Sequence, residues 1–280
     1  MNNNYMLNRL DSISIDSDLQ KNLYDIYMAD SIRFSKRTAL NVIYEIASSL
    51  DSYESSQECI AILNNAWHMM YGMIIRLDDI QDNQPIAPPF PNDIDLSTQY
   101  NILFSQYLIA ESILDDLISN NLSIYRYVKI RRLWSDMMIR MSSGQYCDIC
   151  SKNQPIEQDI AIKYQQIAQS KTGATYALAF GSIGIILFED KSIYESLAVI
   201  GEIYGTLIQY GDDINDYESD MDKSVSFVDI VKKSESSPIH MYKYIYSIYY
   251  EHVELNMINF PDQLKNSIKG LFVKTFNIGV

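Results

Sequence analysis

The stretch "MMYGMIIRLDDIQDNQP", residues 69–85, decides how this chain is read. Its first nine positions are apolar except for Arg76, and then Asp78, Asp79 and Asp82 follow. Helical geometry puts positions i and i+4 one turn apart on one face, so Asp78 and Asp82 stack. Carboxylates gathered at the end of an apolar helix repel one another unless a cation sits among them. A second stretch, "LIQYGDDINDYESD" at 207–220, repeats the arrangement with Asp212, Asp213 and Asp216. Magnesium takes hard oxygen ligands, and one or two carboxylates plus substrate phosphate usually hold it. Two such clusters facing each other would clamp a diphosphate through Mg²⁺. An isolated acidic pair on a solvated helix face is common, and the chain contains one: Asp115 and Asp116 in "ESILDDLISN" have Ser119 where a third acid would stand. That pair reads as surface. Two full copies, each after an apolar helical segment, read as metal and diphosphate ligands.

Outward from these motifs, the composition is that of a helical protein. The chain has 280 residues, 47% hydrophobic, with 10 glycines and 7 prolines, ample for a full core and poor in turn formers. Pro85, Pro88, Pro89 and Pro91 crowd into one irregular loop, and Pro155, Pro238 and Pro261 mark other breaks. Between them apolar residues recur at three and four, as in Leu40, Ile43, Ile46 and Leu50. The expectation is eight to eleven helices, no strand, and one all-α domain over residues 1–280, a bundle around a central apolar cavity. The uncharged run at 172–188, "TGATYALAFGSIGIILF", reads as a buried central helix and not a membrane span.

The net charge of −14 leaves no surplus of Lys and Arg for nucleic acid. Three cysteines and an N-terminus without a signal-like apolar core predict a cytoplasmic protein. The CxxC of Cys147 and Cys150 lacks a second ligand pair for zinc and a βαβ unit for redox work, so both read as core-facing helical cysteines. The three histidines form no spaced pair and read as structural or surface. The tyrosine-rich run at 240–252 reads as helical core with exposed rims.

At this level of detail the chain resembles the trans-polyprenyl diphosphate synthases, of the isoprenoid synthase fold. "DDIQDN" (78–83) is similar to the first aspartate-rich motif, "GQYCDI" (144–149) to GQxxD, and "KTGATY" (171–176) to the KT segment. "IQYGDDIND" (208–216) is similar to FQxxDDxxD, and "DKSVSFVDIVKKSESSP" (222–238) to the tail, with Lys223 and Asp229 at its lysine and aspartate. The resemblance implies two or three Mg²⁺ ions on Asp78, Asp82, Asp212 and Asp216, and roles in catalysis for Asp79 and Asp213. It further implies diphosphate contacts from Lys171, Lys223, Gln145, Thr172 and Gln209, and a homodimer. Tyr71, Met70, Met73 and Ile74 become candidates to line a prenyl pocket. Met73 and Ile74, at the positions that limit tail length, are not bulky aromatics, so a tail beyond ten carbons should fit.

The departures concern the half of the family site that binds isopentenyl diphosphate. Ala87 and Pro88 stand where two arginines are usual, and Tyr71 stands for a histidine. Of the upstream basic motif only Lys36 and Arg37 remain, either as remnants of that site or as the opening of a helix. Burying a second diphosphate without cationic partners is costly. The expectation is therefore an enzyme that ionises an allylic prenyl diphosphate and passes the carbocation to another, unknown acceptor. The alternatives are a terpene cyclase, a chain-elongating synthase with a rebuilt acceptor site, and a non-catalytic synthase subunit.

Overall fold

The computed structural model describes residues 3–83, 86, 90, 94–151, 159–215, 226–233 and 235–276. Asp216, Lys223, Ala87 and Pro88 lie outside the described residues. Twelve α-helices, one 3₁₀ turn and one π turn make up the regular structure of the described residues, with no strand among them. The all-α expectation holds. The helix number exceeds it because α1 (Asn3–Asp11), α3 (Val42–Ala47) and α10 (Phe227–Lys233) are too short to show a clear apolar period. Contacts within the chain divide it into two compact units, residues 1–127 and 128–280.

In the first unit, α2 (Ser17–Ser35) starts at Asp16, whose carboxylate accepts from the N–H groups of Asp18 and Leu19. The 29-residue α4 (Tyr53–Gln81) packs against α2 and against α5 (Leu96–Ser119). Asp95 caps α5 in the same way. Trp67, Met70 and Leu63 are fully buried along α4, which fixes the face it turns inward. The helix stops where Asn83 takes a positive φ of 54°, a left-handed conformation that asparagine tolerates better than most residues. Lys36 and Arg37 are exposed; Lys36 caps the end of α2 and Arg37 stands at the start of the 3₁₀ turn Thr38–Leu40.

The second unit holds α6 (Ile124–Ser151) beyond its first turn, α7 (Ile160–Ala168), α8 (Ala174–Leu187) and α9 (Lys191–Asn215). After α10 come α11 (Pro238–Asn256) and α12 (Asp262–Phe276). Every residue from 174 to 186 on α8 is buried, as expected of a helix that is apolar all round. The expected helix over 172–188 begins two residues later, because Gln169–Gly173 form a π turn. Gly201 and Gly205 let α9 close onto that region: a Cβ at Gly201 would lie 2.4 Å from the Tyr176 carbonyl, and one at Gly205 2.5 Å from that of Thr172. Cys147 and Cys150 are helical but exposed, which corrects the core-facing expectation. The apolar face of α6 instead buries Ile130, Trp134 and Met141. Of the tyrosines of α11, Tyr242, Tyr246, Tyr249 and Tyr250 are half-buried and Tyr244 is exposed, a core face with a rim.

Candidate functional site

The first aspartate cluster ends α4. Asp78, Asp79 and Asp82 are all half-buried, and the Asp82 N–H closes the last turn onto the Asp78 carbonyl at 2.9 Å. Three anions therefore sit at the negative end of a long helix dipole, where each is disfavoured by about 0.3–1 kcal/mol. The second cluster repeats the placement, since Asp212 and Asp213 lie in the last turn of α9. At each helix C-terminus a cation would relieve the carboxylates, and hard-oxygen ligation of Mg²⁺ suits them. Among the described residues no three His, Cys, Asp or Glu side chains converge into a ready-made cage. Such a donor set fits a magnesium ion that keeps waters and takes its remaining ligands from phosphate.

Behind the first cluster lies a group the sequence did not single out for a role. Arg76 is 1% exposed and grips Asp30 of α2 with both terminal guanidinium nitrogens, at 2.7 and 2.8 Å, while also donating to the Gly72 carbonyl at 3.0 Å. Only glycine fits at position 72, because a Cβ there would lie 2.1 Å from the Asp30 carboxylate. Of the pocket candidates, Met70 and Met73 are buried, and Tyr71 and Ile74 are half-buried. Tyr71 stacks on Trp67 at 4.8 Å and meets Phe34 edge-on. His68 is fully buried beside them, its Nε2 3.3 Å from the Leu40 carbonyl. Burial pulls its pKa down to about 4, against the opposing pull of that carbonyl.

In the second unit, Lys171 and Thr172 ride on the π turn, a bulge common at functional sites. Lys171 pairs with Asp148 of α6 at 3.0 Å. Gly144 lets the backbone of the π turn approach α6, since a Cβ there would lie 2.5 Å from the Lys171 backbone nitrogen. Gln145 is buried on the same helix. Thr172 donates to the Gln209 side-chain oxygen at 2.6 Å, and Gln209 donates to Asp213 Oδ1 at 3.0 Å. Asp213 Oδ2 accepts from the Tyr164 hydroxyl at 2.6 Å and from the Phe227 N–H at 2.7 Å. Burial pushes the Asp213 carboxyl above its ordinary range, with these donors pulling the other way. Burial first, and then the Asp213 charge, raises the Tyr164 hydroxyl strongly. Asp212, by contrast, is exposed. Asp229 accepts from the Ser226 N–H and hydroxyl, which caps α10.

Sequence reasoning missed Asp148, Tyr164, Asp30 and Arg76. For Asp148 the signal was present, as the acid of the quoted "GQYCD"; the other three belong to no motif. Asp115 and Asp116, the surface pair, hold structure instead, accepting from Tyr127 and Tyr5. A groove of about 630 Å³ between α6 and α7 is lined by residues such as Gly144, Cys147, Lys163 and Ser170. It includes none of the aspartates of either motif.

Two helical units carrying acid-tipped helices define an all-α protein of the isoprenoid synthase fold, and solved structures match it over nearly the whole chain. The geranyltransferase of Helicobacter pylori, solved with magnesium and isoprenyl diphosphate, is 15% identical, with a TM-score of 0.77 over 98% of this chain and 95% of its own. T. brucei farnesyl diphosphate synthase with a bisphosphonate is 14% identical, with a TM-score of 0.76 over 98% and 95%. The geranylgeranyl pyrophosphate synthetase of the archaeon Geoglobus acetivorans is 13% identical, with a TM-score of 0.70 over 98% and 95%. No curated protein matches the sequence. The sequence pattern of the polyprenyl synthetases matches residues 24–243, and the chain belongs to that family, whose enzymes act on prenyl diphosphates.

Proposed function

We propose that this protein is a Mg²⁺-dependent enzyme that ionises an allylic prenyl diphosphate and delivers the carbocation to an acceptor other than isopentenyl diphosphate. The observation that carries the reading is the placement of both acidic clusters at helix C-termini, α4 and α9, where the helix dipole disfavours negative charge and a cation would offset it. Asp78, Asp82, Asp212 and Asp216 are the proposed metal ligands, for two or three ions. When bound, Mg²⁺ supplies the positive charge that stabilises the departing pyrophosphate. Lys171, with Lys223, donates N–H to the leaving group, and Gln145, Thr172 and Gln209 hold the surrounding polar contacts. Met73, Ile74 and Tyr71 shield the carbocation from water.

The acceptor half of the reading rests on Ala87 and Pro88, neither of which offers a charge or a side-chain donor. The same loss suits a terpene cyclase, where the acceptor is a double bond of the same substrate, and that is the second reading. We take residues 1–280 as one functional domain that pairs as a homodimer. A stripe of exposed Leu96, Tyr100, Phe104 and Leu108, spaced by four along α5, supports the pairing. Exposed free thiols at Cys147 and Cys150 suit a reducing, cytoplasmic setting. Among the described residues no helix is long and apolar enough to cross a membrane.

The test is incubation with Mg²⁺ and allylic diphosphates of ten, fifteen and twenty carbons, with and without isopentenyl diphosphate. Pyrophosphate release that needs a third compound supports transfer, and hydrocarbon or alcohol formed from one substrate supports the cyclase. Longer diphosphates would refute both.

A further inference from the structure

The two adjacent acids of the second motif differ sharply. Asp212 is exposed, whereas both oxygens of Asp213 are engaged inside the unit. Three N–H or O–H donors converge on Asp213, from Gln209, Tyr164 and the Phe227 backbone, occupying three of the roughly four lone-pair directions of a carboxylate. The donors come from three elements: α9 itself, α7 and the start of α10. A fourth, the π turn, joins through Thr172, whose hydroxyl holds Gln209. Tyr164, Tyr210 and Phe227 stack beneath this knot, at 5.4 Å for Tyr164 on Tyr210 and 5.0 Å for Tyr210 on Phe227. All three rings are buried.

Resting on the functional reading above, we propose that Asp213 is a positioning residue rather than a Mg²⁺ ligand: its carboxylate ties the end of α9 to Phe227 and to the Thr172 turn. Residues 213 and 227 flank the segment that carries Asp216 and Lys223. The bond from the Phe227 N–H to Asp213 therefore joins the last turn of α9 to the start of α10. The link through Gln209 and Thr172 holds the Lys171 turn in register with the same point. One carboxylate thus links the last turn of α9, the Lys171 turn and the start of α10.

Asparagine can keep this arrangement. Its oxygen would accept from Tyr164 and Phe227, and its amide would donate to Gln209 once that side chain turns over, with Thr172 then accepting. The experiment compares Asp213→Asn, Tyr164→Phe and Asp212→Asn. Turnover is followed as Mg²⁺ is titrated, and hydrogen exchange is read at the Phe227 amide. The expected result is a several-fold lower kcat for Asp213→Asn and Tyr164→Phe with an unchanged Mg²⁺ concentration for half-maximal rate. Asp212→Asn should raise that concentration tenfold or more. Phe227 protection should persist in Asp213→Asn and be lost in Asp213→Ala. A Mg²⁺ requirement in Asp213→Asn shifted as far as in Asp212→Asn would overturn the proposal, as would a protected Phe227 amide in folded Asp213→Ala. If the native protein turned over no prenyl diphosphate, the functional reading would fail and the Phe227 exchange would still decide the role of Asp213.

Discussion

Arg76 shows at the scale of a single residue what an apolar helix must do with a charge it cannot expose. Its guanidinium is neutralised by Asp30 and braced on the Gly72 carbonyl. Taking one partner away leaves a buried charge, so Asp30→Ala or Arg76→Met alone should cost about 3–5 kcal/mol in urea unfolding. Replacing both, as Asp30→Leu with Arg76→Met, should be close to neutral, since the desolvation cost goes with the pair. A strictly additive cycle would contradict this. His68 makes a second residue-scale prediction. Its folded pKa of about 4 lies below the ordinary 6.5 of histidine, so only the unfolded chain binds the proton between these values. The stability tied to the neutral ring is present above pH 6.5 and lost as pH falls toward 4, at about 1.4 kcal/mol per unit. Between pH 7 and 5 the native protein should lose about 2 kcal/mol more than His68→Gln. Parallel losses in the two would show that other groups carry the acid sensitivity.

At the scale of elements, α4 and α9 both carry acids at the end that the helix dipole disfavours for negative charge. Each places aspartates in its final turn, against the dipole. Without metal, Asp78→Ala and Asp82→Ala should each leave the fold equally stable or more stable by up to about 1 kcal/mol, while turnover falls by orders of magnitude. Thermal melts in chelator beside Mg²⁺-dependent rates test both halves, and a destabilised apo variant would mean that the carboxylates hold structure. The exposed stripe on α5 carries its own test. Phe104→Glu with Leu108→Lys should yield a monomer by sedimentation with unchanged helicity. A native chain that is already monomeric would remove the reason for the stripe.

For the whole molecule, ligand and fold should be linked. A non-hydrolysable allylic thio-diphosphate with Mg²⁺, at a hundred times its Kd, should stabilise the native state by about 2.7 kcal/mol. For a chain of this size that is a rise in Tm of several degrees, and Mg²⁺ alone should give much less. Isopentenyl diphosphate at the same concentration should leave Tm nearly unchanged, because Ala87 and Pro88 supply no cation for it. An equal rise from both ligands would mean that the acceptor site had been rebuilt, with Lys36 and Arg37 the first residues to examine.

The all-helical class, the buried run that became α8 and the helix-end places of Asp78, Asp79, Asp212 and Asp213 were legible in the sequence alone. Each is a matter of local spacing: a 3.6-residue period, an uncharged run, acids at i, i+1 and i+4. Tertiary structure alone decided what those side chains meet. Asp30 with Arg76, Lys171 with Asp148, and Asp213 with Tyr164 and Phe227 join residues from different helices, and no local pattern encodes such a pairing. The same limit misplaced Cys147 and Cys150, whose exposure depends on which face of α6 the neighbouring helices cover. It also hid the π turn at Lys171, since a bulge of one residue leaves the apolar pattern on either side intact. Two neighbouring aspartates, identical in the motif, thus part company only once the chain folds: Asp212 faces solvent, and Asp213 binds three elements together.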